Sequence, residues 1–191
     1  VMKESRKICR HLHLPLQSGS TRVLERMNRR YTKEQYLALA EKIRREIPDI
    51  AITTDIIVGF PGETMEDVED TIDVIRRVRY DNAFTFIYSR RTGTPAASMP
   101  DQVPEEQVRE GFDRVLKVVQ DTAREQVARY QGQVAEVLVE EINEHEEGLL
   151  TGRMSNNTLV HFPGSPELIG RIVPVVLDKC QGFYYMGRIM R

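Results

Sequence analysis

Thr54-Asp-Ile-Ile-Val-Gly-Phe-Pro-Gly-Glu-Thr64 is an apolar strand that runs into a Gly-Phe-Pro-Gly turn, with a threonine placed to start a helix. The same form recurs on either side. His11-Leu-His-Leu-Pro-Leu-Gln-Ser-Gly-Ser20 precedes it, and Phe84-Thr-Phe-Ile-Tyr-Ser-Arg-Arg-Thr-Gly-Thr94 follows it. Each is a buried strand that ends in Gly, Ser and Thr, and the first two turns open onto helices. Strands about 30 to 40 residues apart with helical stretches between them predict right-handed βαβ units and a parallel sheet. Polar turns along one edge of such a sheet are where α/β proteins build small-molecule sites. Their backbone donors and hydroxyls suit a polar, nucleotide-like ligand.

The intervening segments carry their own punctuation. The first strand, His11–Leu16, alternates two histidines with leucines, and Ser20 caps a helix expected to run through Arg30. Thr32 and Gln35 form a capping box for a second helix with Tyr36, Leu39, Ala40, Ile43 and Ile47 on one face, stopped by Pro48. The second strand spans Ile52–Val58. Thr64 caps a third helix striped by Val68, Ile72, Ile75 and Val78, and the third strand spans Ala83–Tyr88. Three βα units are too few for a closed eight-stranded barrel and would leave open parallel edges. A half barrel completed by strands upstream of Val1 is therefore expected.

Pro104 sits at a first helical position, and Val108, Phe112, Val115, Val119, Ala123, Val127 and Tyr130 stripe a helix about 40 Å long. Gly132 ends it. Beyond Gln133 the period changes to two, giving five short strands at Val134–Glu141, Leu149–Met154, Thr158–Phe162, Gly170–Asp178 and Phe183–Met190. Their spacing fits a small, closed or nearly closed antiparallel barrel of the oligonucleotide-binding kind. The expected architecture is thus α/β, a half TIM-like parallel βα barrel over residues 1–127 followed by an OB-like all-β barrel over 128–191.

The totals exclude several classes. The 191 residues are 40% apolar and 29% charged with a formal net charge of −2, an ordinary soluble composition that neither favours nor opposes nucleic acid. No apolar run approaches a membrane span of roughly 18 residues, and no signal peptide opens the chain, so a cytoplasmic protein without a membrane partner is expected. Cys9 and Cys180 lie at opposite ends without CxxC spacing, and four scattered histidines make no metal site, so no metal ligand is assigned.

Several stretches together resemble the radical S-adenosylmethionine methylthiotransferases, most closely the MiaB-type branch that acts on tRNA. They are His11–Ser20 with Val23-Leu24 and Met27-Asn-Arg-Arg-Tyr-Thr32, then Asp55–Thr64, then Tyr88-Ser-Arg90 with Gly93-Thr-Pro-Ala-Ala97. Gly152-Arg153, Asn156-Asn157, Leu159-Val160 and Ile169-Gly170 in the terminal barrel resemble the TRAM domain of these enzymes. The resemblance covers essentially the whole chain. It implies cleavage of S-adenosylmethionine by a reduced [4Fe-4S] cluster to a deoxyadenosyl radical, and methylthiolation of an N6-isopentenyladenosine beside the anticodon of tRNA. The family's cluster motif, Cys-x-x-x-Cys-x-x-Cys, is absent from this sequence, as are the cysteines of the second cluster. Three or four converging thiolates are needed for a cubane. The cluster ligands are therefore expected in a missing N-terminal half, and the chain alone is expected to be inactive, with no catalytic residue assigned in it.

On this resemblance the cofactor-binding residues are Gln17, Ser18, Gly19, Ile57, Gly59, Tyr88, Ser89 and Arg90. Gln17, Ser18 and the Gly19 amide would hold the methionyl or ribose part. Ile57 would pack on adenine, Gly59 would admit close backbone approach, and Arg90 would meet a carboxylate or phosphate. Each has a plainer reading: Gln17–Ser20 and Gly59–Thr64 as turns with caps, Arg90 or Arg91 as an ion-pair partner, and His11 and His13 as satisfied lumen residues. For RNA, the anticodon stem-loop rather than DNA, the residues are Arg153, Asn156, Asn157, Arg171 and Arg188. The barrel holds five Lys/Arg against eight Asp/Glu, yet the acids cluster in Glu136–Glu147, which leaves one face positive, with Phe162, Phe183, Tyr184 or Tyr185 for stacking or for the core. A second basic cluster spans Lys3–Arg30, with eight Lys/Arg and two Glu. The sister enzyme that modifies a ribosomal-protein aspartate, and a cluster-free RNA-binding module, are the competing readings. The Arg90–Ala97 run and Asn156-Asn157 lean toward the tRNA type.

Overall fold

The computed structural model describes residues 1–5 and 7–190; Arg6 and Arg191, both among the basic residues of the sequence, lie outside the described residues. The chain divides into two compact units, one of Leu12–Pro48 with Ile52–Ala123, the other of Val1–His11 and Asp49–Ala51 with Arg124–Arg191.

The first unit is built on a sheet ordered β1 (His11–His13), β2 (Ala51–Val58), β3 (Asn82–Ile87), with β2 and β3 parallel. The first strand is shorter than its alternation predicts because Pro15 has no N–H to give the ladder. The Leu16 amide turns instead to the Thr54 hydroxyl at 2.8 Å, and pairing resumes as a parallel bridge between Gln17 and Ile56. Helix α1 (Thr21–Arg26) is capped by Ser20 but stops four residues before Arg30. Asn28 takes a left-handed φ of 58°, and the Arg29 and Asn28 amides reach back to the Leu24 and Glu25 carbonyls, a Schellman ending.

Helix α2 (Lys33–Glu46) has the expected capping box, but it buries Tyr36, Leu37 and Ala40 and leaves Leu39 exposed. Tyr36 and Ala40 stay on the buried face, which is turned by about half a residue, roughly 50° on a helix, toward Leu37. A Tyr80–Tyr36–Leu14 hydrogen-bond chain, with the Tyr36 hydroxyl on the Leu14 carbonyl, sets that rotation. Helix α3 (Met65–Val78) buries the four predicted positions, and Asp67 completes a second capping box with Thr64. Leu16, Val23, Leu24, Ile52, Ile56, Ile72 and Ile75 are all buried and form the core beneath the sheet. Helix α4 (Glu105–Ala128) begins just after Pro104.

In the second unit, β4 (Val134–Ile142), β5 (Leu149–Met154), β6 (Leu159–Pro163), β7 (Ile172–Cys180) and β8 (Tyr184–Ile189) close into a barrel in the order β4-β5-β6-β8-β7. Four pairings are antiparallel, and the closing pair β6·β8 is parallel. Val137, Val139, Leu150, Val160, Phe162, Val175, Leu177 and Tyr185 alternate inward to fill it. Closure removes the free edges that a five-stranded sheet would otherwise expose.

Candidate functional site

The first unit holds a cleft of about 840 Å³ at the carboxyl ends of its strands. Gln17 enters from the end of the first strand, Asp55 and Ile57 from β2, and Phe86, Ile87, Tyr88 and Ser89 from β3 and the turn beyond it. Parallel register explains the convergence: Asp55 stands opposite Phe84 and Ile57 opposite Phe86, so alternate side chains of both strands share one face. Asn28 and Arg29 reach the cleft from the end of α1, with Arg91 and Thr94 beyond β3. Gln17 needs a left-handed φ of 67° to leave the ladder at this point. Phe60 and Tyr88 pack edge to face with centroids 5.3 Å apart. The Tyr88 hydroxyl oxygen is buried and has no hydrogen-bond partner among the described residues. Below the cleft, His13 meets the Thr53 hydroxyl at 3.0 Å and Asp55 at 3.3 Å.

Four of the eight expected cofactor residues, Gln17, Ile57, Tyr88 and Ser89, line this cleft, and the other four stand behind or beside it. Ser18 is fully buried, its hydroxyl accepting from the Ser20 amide. The Gly19 amide donates to the Thr71 hydroxyl at 2.8 Å, and a Cβ there would lie 2.4 Å from the Thr71 Cα, so this glycine exists to let the turn touch α3. Gly59, at φ +83°, donates its amide to the Glu63 carboxylate and faces Val108 of α4. Arg90 binds the Ala97 carbonyl at 2.6 Å and lines a separate shallow pocket, while its neighbour Arg91 lines the cleft.

Two carboxylates support the rim. Burial pushes the Glu63 carboxyl up to about 7, against the pull of the Gly59 amide. Burial also works against Asp67, but hydrogen bonds from Arg22, Ser20 and Thr64 outweigh it and hold that carboxyl below its ordinary range. Asp67 thus ties the caps of α1 and α3 together: Ser20 donates to it at 2.6 Å and Thr64 at 2.7 Å.

In the barrel, four of the five residues expected to face RNA are held in contacts or turns of the barrel itself. Arg153 holds Glu140 at 3.1 Å and the Asn157 side chain at 3.1 Å, and Arg188 pairs with Asp178. Asn156 is buried, its Oδ1 accepting from the Thr158 amide, and Asn157 takes the left-handed turn position at φ 74°. Arg171 is exposed just before β7. Among the aromatics, Phe162 and Tyr185 are core, Phe183 is 62% exposed, and Tyr184 packs on His161.

The radical SAM superfamily pattern matches residues 1–75, and the TRAM domain pattern matches residues 128–190. The tRNA-2-methylthio-N(6)-dimethylallyladenosine synthase of Lachnoclostridium phytofermentans is 58% identical over the whole of this chain, which covers 42% of that protein. The chain carries a radical SAM segment and a TRAM domain. The synthases of the same name from Acetivibrio thermocellus and Thermoanaerobacter sp. are 50% and 47% identical over 100% and 99% of the chain, which covers 40% of each. The chain therefore spans about two fifths of the length of those curated relatives and corresponds to their C-terminal part. A solved structure of coproporphyrinogen III oxidase from Escherichia coli, a radical SAM enzyme, aligns over 59% of this chain and 27% of its own, with a TM-score of 0.51 and 21% identity. That likeness shows the partial barrel fold.

The sequence does not single out Asp55, Phe60, Phe86 and Arg91 as cleft residues: strand parity puts Asp55 on the face of Ile57, but Phe86 joins them only through the register of β2 with β3. Nor does it mark Glu63, whose burial depends on the turn folding back over it. No helix among the described residues is long and apolar enough to cross a membrane.

Proposed function

We propose that the protein of which this chain is part is a cytoplasmic tRNA-modifying enzyme that methylthiolates N6-isopentenyladenosine next to the anticodon, using S-adenosylmethionine. The observation that carries this reading is the 58% identity, without a gap in coverage of the chain, to a relative named for that reaction. The domain division that goes with it is a radical SAM part over 1–127 and an RNA-gripping TRAM barrel over 128–191. The matched relatives are named for tRNA, which disfavours the ribosomal-protein substrate.

The cleft fits S-adenosylmethionine in size and character, since cofactor pockets run from about 300 to 1,000 Å³ with apolar walls and a few convergent polar groups. Ile57, Phe60 and Phe86 supply the apolar wall for an adenine. Gln17 and Ser89 supply hydrogen-bonding groups, and the Asp55 carboxylate favours a cationic sulfonium or ammonium. The buried Tyr88 hydroxyl, partnerless among the described residues, is the kind of group a ligand satisfies. When bound, S-adenosylmethionine supplies the methyl group and, on reductive cleavage, the hydrogen-abstracting radical. Arg29 and Arg91, on the same cleft, offer positive charge to the phosphates of a nucleic-acid substrate.

Iron–sulfur clusters do not fit this chain's own residues. Cys9 is exposed, Cys180 is half-buried, and among the described residues no three His, Cys, Asp or Glu side chains are grouped to hold a metal. Their ligands are assigned to the remainder of the protein.

The test is activity of the complete protein, reconstituted anaerobically with iron and sulfide, on tRNA carrying the isopentenylated adenosine. Nucleoside mass spectrometry should show the methylthio product alongside deoxyadenosine. Failure to form either with a correctly loaded enzyme would overturn the reading.

A further inference from the structure

We propose that the outer face of β6 and β8 carries a stacking site for an unpaired RNA base, formed by Tyr184 and His161. The proposal rests on the tRNA reading above and names the part of the barrel that contacts RNA. Strand alternation settles which aromatics are available. Phe162 and Tyr185 point inward and are fully buried, so their neighbours His161 and Tyr184 fall on the outer side. Parallel pairing sets Leu159 beside Tyr184 and His161 beside Met186, and the two rings meet edge to face at 4.8 Å and 62°. Each remains partly accessible.

The histidine is held in one chemical form by the loop before β5. Asn143 Oδ1 accepts the His145 and Glu146 amides, both at 2.9 Å, which fixes the orientation of its carboxamide. Its Nδ2 therefore faces His161 Nδ1 at 3.0 Å and Thr151 Oγ1 at 3.1 Å. An amide nitrogen only donates, so Nδ1 accepts and the ring proton sits on Nε2. Burial also lowers the His161 pKa. The outcome is a neutral imidazole with one N–H donor, braced against a tyrosine ring, on an OB-like barrel. Flat aromatic surface plus a single donor suits a nucleobase, and such stacking tolerates any base. It also fits a barrel whose arginines at 153 and 188 are already paired with Glu140 and Asp178 and so are less available to phosphates.

The test uses the 191-residue chain and a short fluorescein-labelled RNA hairpin with an unpaired, adenosine-rich loop, read by anisotropy. Tyr184→Ala and His161→Ala should each weaken binding about tenfold, as expected for loss of one stacked base, whereas Tyr184→Phe should bind like the unchanged chain. Thermal melts confirm that the variants remain folded, and Tyr184→Leu, which keeps bulk but not the flat ring and should also lose about tenfold, serves if the alanine variants do not. A fully paired duplex of the same length should bind more weakly than the hairpin. If the unchanged chain binds the hairpin and the alanine variants bind it equally well, the stacking site is wrong while the tRNA reading stands. If Tyr184→Phe loses binding as far as Tyr184→Ala, the ring face is not the contact and the site is again wrong. No binding by the unchanged chain would remove both the site and the RNA role of the barrel.

Discussion

Glu63 is the residue whose ionisation is most coupled to the architecture of the rim. Its carboxyl is buried, and its pKa is raised from an ordinary 4.5 to about 7. A carboxyl that binds its proton more tightly when folded stabilises the fold most below its unfolded pKa, and that contribution is lost as pH rises through the folded value. Stability should therefore fall between about pH 4.5 and 7, by up to about 3 kcal/mol. Glu63→Gln, which keeps an acceptor for the Gly59 amide, should flatten melting temperature across that window; an unchanged pH dependence would show that Glu63 is not its source. Tyr88 gives the opposite kind of prediction. Its hydroxyl is buried without a partner among the described residues, and an unsatisfied buried polar group costs about 1–3 kcal/mol. Tyr88→Phe should raise the melting temperature of the chain while weakening S-adenosylmethionine binding to the complete protein. A variant that melts lower would mean the hydroxyl is satisfied. Sequence pattern shows Tyr88 as a rim residue but not its orphaned oxygen, because burial of one atom depends on Phe60 and the turn that carries it.

At the level of elements, the determinants are local where the sequence was legible and distant where it was not. The caps at Ser20, Thr32 and Thr64, the strand alternation of β2 and the change to period two after Gln133 are short-range signals, and each marks a boundary in the structure. The exposure of Leu39 and the engagement of Arg153 by Glu140 are not local. Each depends on what a neighbouring element presents, as when Tyr80 and Leu14 together fix the rotation of α2. The contact between the turn after β1 and helix α3 is the sharpest case. A Cβ on Gly19 would sit 2.4 Å from a backbone Cα and 2.5 Å from the Asp70 carbonyl oxygen. Backbone cannot retreat as a flexible side chain can, so Gly19→Ala should separate turn from helix and cost at least about 2 kcal/mol. Urea denaturation of the variant checks this, and a midpoint equal to that of the unchanged chain would refute the close approach.

For the molecule as a whole, two units with separate cores carry the two sides of the proposed activity, a cleft at the ends of parallel strands and a closed barrel with an aromatic outer face. The chain spans about two fifths of its named relatives, and its described residues group no cluster ligands, so the activity is assigned to the longer protein. On the proposed reading, this chain contributes the wall of the cofactor cleft. Equilibrium dialysis of S-adenosylmethionine against the complete, cluster-loaded protein measures that directly. Ile57→Ala removes apolar surface from the cleft without touching the turn or the caps, and should weaken cofactor binding about tenfold, with Ile57→Leu close to the unchanged protein. Equal affinity in all three would contradict the assignment of this cleft to the cofactor.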